Sequence, residues 1–141
     1  MKKVLFLCLG LLAIGLTTTG CSNDDENASI EGKWFFSQTG LSVGGQEALD
    51  PYVHTEGCEK DYWEFNTGGV LKEVSFNKDG STCESDIVLG TYTKSDNNLL
   101  VSLNGQSNVY TIMTLNSSTL KIKVTLIDNG QPIDYIYVFR R

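Results

Sequence analysis

Four cysteines, one histidine and several closely spaced carboxylates are the residues from which this chain could build chemistry. Glu59 with Asp61, and Glu84 with Asp86, supply the carboxylate pairs that a glycosidase needs around a scissile bond. Both pairs fall at loop ends beside Cys58 and Cys83, where solvated charge is the simpler reading. His54 follows Pro51-Tyr52 and reads as a solvated loop residue. No Ser-His-Asp order points to a triad, and no Gly-rich phosphate loop follows a strand. Asn77-Lys78-Asp79-Gly80 begins like a calcium loop, but the remaining acidic ligands do not follow, and a tight turn accounts for it. Cys58, Cys83 and His54 fall short of a zinc site in number and spacing. The chain is therefore expected to be no enzyme and to carry neither metal nor cofactor.

The elements that would position these residues are short strands. From Ile30 onward, turn formers punctuate the chain: Gly44-Gly45, Gly68-Gly69, Asp79-Gly80, Asn97-Asn98, Asn104-Gly105, Asn116-Ser117-Ser118 and Asn129-Gly130. They supply the positive φ that tight hairpins require. Runs rich in Val, Ile, Thr, Tyr and Phe lie between them. Strands are predicted near 30–38, 61–66, 70–76, 87–94, 98–103, 107–114, 119–127 and 133–140. The first continues towards Val43 and turns back at Gly44-Gly45, which adds a ninth. Leu120, Ile122, Val124 and Leu126 alternate with Lys121, Lys123 and Thr125, the pattern of a half-buried strand. Tyr135, Tyr137 and Phe139 alternate with Ile136 and Val138, so the last strand is apolar on both faces and is expected to be central or covered. Only residues 48–54, around Pro51, could hold a short helical turn. An all-β fold follows, an eight-stranded up-and-down antiparallel barrel, with a sandwich as the competitor.

Composition agrees with a single small domain. The 141 residues are 40% hydrophobic and 20% charged, and 11 Lys+Arg against 17 Asp+Glu give a net charge of −6. An acidic chain without a basic stripe excludes nucleic acid as the expected partner.

The first twenty residues read as an address. Lys2 and Lys3 precede an apolar run from Val4 to Leu16, too short for a bilayer core of about 30 Å. It is the hydrophobic region of a secretory signal. Thr18-Thr19-Gly20-Cys21 then resembles a bacterial lipoprotein lipobox. That resemblance implies removal of residues 1–20 and lipidation of Cys21. Loss of Lys2 and Lys3 leaves 9 basic against 17 acidic residues, or −8. A lipid rather than a basic patch would then hold the protein at the membrane. Residues 21–29 form an acidic tether without the apolar content to fold alone. Its Cys21-Ser22-Asn23-Asp24-Asp25-Glu26 looks like the acidic export signal of some Gram-negative surface lipoproteins. The expected location is the outer membrane, lipid-anchored and surface-exposed. With Cys8 removed and Cys21 lipidated, Cys58 and Cys83 remain in an oxidising compartment and are expected to pair. Closing that loop stabilises by about 3–4 kcal/mol on loop entropy.

The rest, residues 30–141, resembles the lipocalin superfamily. The resemblance is carried by Gly32-Lys33-Trp34 on the first strand, the terminal Arg140-Arg141, and the strand count. Cys58-Glu59-Lys60-Asp61 before the aromatic Tyr62-Trp63-Glu64-Phe65 is similar to small lipocalin-like lipoproteins of Gram-negative bacteria. The resemblance implies that Gly32 and Trp34 close the barrel base beneath a basic residue, Arg140 or its neighbour Arg141. A domain of about 112 residues is short for the superfamily, so its cavity is reduced. Trp34, Trp63, Phe65, Phe76, Tyr92, Tyr135 and Phe139 are expected to fill the interior, with ligand room left near Gly90 and Thr111. Two functions are compatible with this. One is a monomeric binding protein for a small, partly apolar molecule. The other is a filled barrel presenting loops 39–60 and 77–86 to a protein or glycan.

Overall fold

The structure is a computed structural model that describes residues 28–141. The signal segment, Cys21 and most of the acidic tether lie outside the described residues. Nine strands follow in order: β1 (Gly32–Val43), β2 (Gln46–Pro51), β3 (Tyr62–Asn66), β4 (Val70–Asp79), β5 (Thr82–Ser95), β6 (Asn98–Leu103), β7 (Gln106–Leu115), β8 (Thr119–Asp128) and β9 (Gln131–Arg140). The hairpin turns do what their residues dictate. Asn104-Gly105 has φ of 50° and 74°, and Asn129-Gly130 has 49° and 79°. Two successive positive φ values match the right-handed twist of the flanking strands.

Each strand from β3 to β9 pairs antiparallel with the next, and β1 pairs with both β3 and β9. This closes an eight-stranded antiparallel barrel of β1 and β3–β9. β2 is the ninth strand and sits in tandem with β3 on one edge of β1: Gly32–Phe35 face β3, and Gln38–Val43 face β2. Between them the chain makes an excursion over residues 52–61.

Closure is uneven along the axis. β7 and β8 pair only where Thr111–Leu115 meet Leu120–Lys123. Beyond that, Gln106–Tyr110 and Val124–Asp128 have no ladder between them. β6 follows β5 only as far as Thr91, so Thr82–Gly90 is held by β4 alone. Residues 77–86, expected as a loop, are instead the upper part of this β4–β5 hairpin. The hairpin rises as a two-stranded ribbon whose β5 half is exposed from Thr82 to Ile87. The region around Pro51 is strand to Pro51 followed by loop, not a helical turn.

Apolar side chains from all eight barrel strands fill the end where the first and last strands meet. Trp34, Leu71, Leu99, Leu120, Ile122 and Phe139 are each 0% exposed, and Phe65 is 1%. Their packing joins Phe36, Trp63, Tyr110 and Ile112 into one core. Phe76, expected inside, is not part of it. It lies two residues from Val74 on the outward face, because Val74 pairs with Tyr62 while the neighbouring Glu73 pairs with Trp63. Thr111 is exposed and pairs with Lys123, so it offers no interior space. Gly90 faces inward opposite Leu71, but a Cβ there would collide with the Ser102 carbonyl and the Leu103 side chain. Its small size serves the close approach of β6.

The two apolar faces of β9 have separate explanations. Tyr135, Tyr137 and Phe139 face the core, whereas Ile136 and Val138 face outward yet are 0% and 4% exposed. The β1–β2 hairpin supplies their cover. In sheet order β1 and β9 separate β2 from β8, a flat distance of about 14 Å. Nevertheless Lys121 Nζ on β8 is 2.5 Å from Glu47 Oε2 on β2. The hairpin must therefore curl back over the outer face. Gly40, which pairs with Ile136 and Leu49, permits the curl, since a Cβ would strike the Ala48 carbonyl.

Candidate functional site

The closed end is sealed by contacts between the two chain ends. Trp34 Nε1 donates to the Ile30 carbonyl at 2.7 Å, which pins the indole flat across the base. Arg141 lies over it, with Cζ 3.9 Å from the ring centroid, within cation–π range. The same guanidinium donates through Nη2 to the carbonyls of Ser29 at 2.9 Å and Glu31 at 2.5 Å. Gly32 holds φ at 114°, a conformation that residues with a side chain rarely adopt, and lies beside Arg141 Nη2. The basic residue over Trp34 is thus Arg141 and not Arg140. Alternation explains the swap. Phe139 points in, so Arg140 points out, where it donates to Thr119 Oγ1 on β8. Arg141 is past the ladder and free to turn beneath the barrel.

At the open end the 52–61 excursion is stitched down on three sides. Cys58 and Cys83 form a disulfide, with Cα atoms 5.6 Å apart, that fastens the loop to the start of β5. Lys78 Nζ donates to the Glu56 carbonyl at 3.3 Å. Asp61, only 6% exposed, gathers the rest. Its Oδ1 accepts the Phe76 amide at 2.8 Å and its Oδ2 accepts the Tyr52 hydroxyl at 3.0 Å. The Asp61 amide donates to His54 Nδ1 at 3.0 Å, and His54 Nε2 donates to the Phe36 carbonyl at 2.8 Å. That pattern requires the neutral imidazole with its proton on Nε2. His54 is therefore a half-buried structural link, not the solvated residue expected from its neighbours. Glu59 and Glu84 are exposed, and Asp86 accepts from Asn77 Nδ2 at 2.8 Å. Asp61 is thus occupied in holding the loop, and the pairing of Glu59 with Asp61 does not make an acid–base couple.

Between these ends lies the upper lumen. Antiparallel partners share a face, so Glu73, opposite Trp63 and Val88, points inward. Leu41, Tyr135 and Val124 are mutual neighbours across β1, β9 and β8 on that same inner face, and Leu126 follows above. Val124 is buried at 4% exposure, but its neighbours here are inward and still wetted. Leu41 is 39% and Leu126 37% exposed, while Glu73, Val88, Tyr135 and Tyr137 are half-buried. At the rim a groove of about 420 Å³ runs between residues 41–44 and 132–134.

One carboxylate sets the electrostatics here. Trp63 Nε1 donates to Glu73 Oε2 at 2.5 Å. Burial pushes the Tyr110 hydroxyl up to about 12, with Tyr137 and Glu73 adding to the shift. Tyr137 is raised by burial, then by Tyr135 and Glu73. Tyr52 is pushed up to about 12 by burial and by its hydrogen bond to Asp61, with a smaller contribution from Glu73. These phenols are neutral donors at physiological pH. The arrangement can hold a molecule that is apolar over most of its length and polar at one point. Among the described residues, no group of three His, Cys, Asp or Glu side chains is placed to hold a metal ion. Glu73 escaped notice in the sequence because Lys72-Glu73 reads as surface charge. Its spacing of two from Leu71 was the available signal.

Residues 22–122 match the family described as lipocalin-like domain. No curated protein matches the chain. Among solved structures, an uncharacterized protein from Bacteroides eggerthii is similar with a TM-score of 0.53 at 15% identity, over 80% of this chain and 99% of that one. Bovine odorant binding protein in complex with undecanal gives 0.44 at 17% identity, over 78% and 69% of the two chains. Aphrodisin, a sex pheromone from female hamster, gives 0.42 at 14% identity, over 80% and 75%. At such identities the likeness is one of fold. With its matched span covering most of the sequence, this chain belongs to the lipocalin-like domain family.

Proposed function

We propose that the protein is a binding module whose upper lumen takes a small, partly apolar molecule. The observation that carries this reading is the set of inward residues, Leu41, Glu73, Leu126, Tyr135 and Tyr137, that remain accessible above a solid lower core. An interior built only for stability would bury them. The protein works as a monomer at the outer membrane, facing outward, held by lipid on Cys21. The lipobox-like Gly20-Cys21 and the acidic residues after it support that location.

Native mass spectrometry of the protein released from its own membrane tests the binding reading. A small molecule of constant mass should travel with the wild type and be absent from a Leu126→Trp variant that fills the lumen. A protein that leaves the membrane bare, and that captures nothing from a panel of apolar compounds, would refute it. For the anchor, Cys21→Ala should move the protein to the soluble fraction.

The protruding β4–β5 ribbon favours a second reading, in which the open end is presented to a protein or glycan. Its upper part is paired on one side only and is tied to the 52–61 loop through Cys58–Cys83. Replacing the exposed Ser81, Glu84, Ser85 and Asp86, with Cys58–Cys83 kept, should abolish partner capture if this is correct, and leave small-molecule binding intact.

A further inference from the structure

We propose that the lumen selects molecules with a positively charged head, an amine or a quaternary ammonium, carried on an apolar tail. The proposal rests on the reading of the lumen as a ligand site. Its anchor is Glu73, a half-buried carboxylate that points into the barrel opposite Trp63 and Val88. Oε2 accepts the Trp63 indole at 2.5 Å, and no hydrogen bond reaches Oε1 among the described residues. No described lysine or arginine forms an ion pair with it. Its neighbour Lys72 points out of the barrel to Glu64, and Lys121 and Lys123 are engaged on the outer face with Glu47 and Asp134. Glu73 thus offers a cationic ligand a carboxylate oxygen, Oε1, that no described side chain shares.

Aromatic rings complete the recognition. The Trp63 and Tyr110 rings meet edge to face at 5.9 Å, and the Tyr110 and Tyr137 rings at 6.4 Å. Trp63 and Tyr110 are buried at 5% and 8% exposure and face each other, so the half-buried Tyr137 is the ring left open to a cation, which is attracted within about 6 Å of a centroid. The phenols of Tyr110 and Tyr137 stay protonated well above neutral pH, so Glu73 supplies the charge. Leu41 and Leu126, 39% and 37% exposed, suit an apolar tail. An anionic head would meet repulsion from Glu73 and from a chain of net charge −6.

The test holds the tail constant and varies the head. Dodecyltrimethylammonium, dodecanol and dodecanoate, each below its critical micelle concentration, are titrated against the protein by tryptophan fluorescence. The ammonium should bind about tenfold more tightly than the alcohol, and the carboxylate most weakly. Glu73→Gln should keep the affinity for dodecanol and lose the preference for the ammonium. Tyr137→Leu should weaken the ammonium more than the alcohol. If Glu73→Gln fails to fold, the wild-type ranking of the three heads decides alone. Dodecanol or dodecanoate binding as well as the ammonium would overturn the cation proposal and leave the ligand site standing. Failure of all three probes would overturn both.

Discussion

The two halves of this barrel are made of the same strands and behave oppositely. In the lower half, β7 and β8 are paired, inward side chains are dry, and the chain ends lock together around Trp34 and Arg141. In the upper half, the β7–β8 ladder stops, the β4–β5 ribbon stands free, and inward side chains such as Leu41 and Leu126 are wetted. A barrel this small cannot both fill its interior and hold a ligand along its whole length. It divides the tasks: the lower half supplies the stability, and a disulfide and the Asp61 hydrogen bonds keep the upper half in shape.

This division can be broken most strongly from below. Trp34→Ala should cost about 3–5 kcal/mol, by the cavity it opens and the bond to Ile30 it removes. Leu126→Ala, also inward but 37% exposed, should cost a small fraction of that. Equal losses in thermal melts would erase the distinction. Next in size, Cys58→Ser should lower stability by about 3–4 kcal/mol under oxidising conditions. In reductant, wild type and variant should melt together.

An alkaline titration sharpens the contrast among the tyrosines. Tyr52 and Tyr110 are pushed up to about 12 from an ordinary value of 10. The unfolded chain therefore releases these protons first. The stability they contribute is fully present below pH 10 and is lost as pH rises towards 12. Phenolate absorbance should show two late tyrosines that ionise together with unfolding. Two early ones would mean that these hydroxyls are hydrated. The smallest effect separates the terminal arginines. Arg141→Ala should cost about 1 kcal/mol, from the cation–π contact and the bonds to Ser29 and Glu31. Arg140→Ala should cost less, because its partner Thr119 is near solvent. The reverse order would restore Arg140 as the base residue.

The lower half was the more legible in sequence, and the reason is physical. Alternation of Leu120, Ile122 and Val124 with lysines states which face is buried, and Gly32-Lys33-Trp34 marks the base. Alternation fails where no core lies on either side. The β4–β5 ribbon carries Lys78, Asp79, Glu84 and Asp86 and so reads as a loop, although it is hydrogen-bonded strand. It fails also at a strand's last residue, which is why Arg140 and Arg141 could not be told apart. Doubly apolar β9 announced that something covers it. What covers it depended on Gly40 and on Glu47 reaching Lys121, a contact that no local pattern encodes. The lumen of the candidate site was least visible, because Glu73 looks like any surface charge until Trp63 is placed opposite it.

The meeting of Ser29, Glu31 and Arg141 beneath the base has a geometric corollary. The polypeptide enters the cylinder from below, through its sealed floor. Were a lipid on Cys21 to moor it, the residues from 21 to 29 would hold that floor within about 30 Å of the bilayer. The mouth would then look away from the lipid. Whatever the lumen admits would arrive from the surrounding water rather than by sliding out of the membrane.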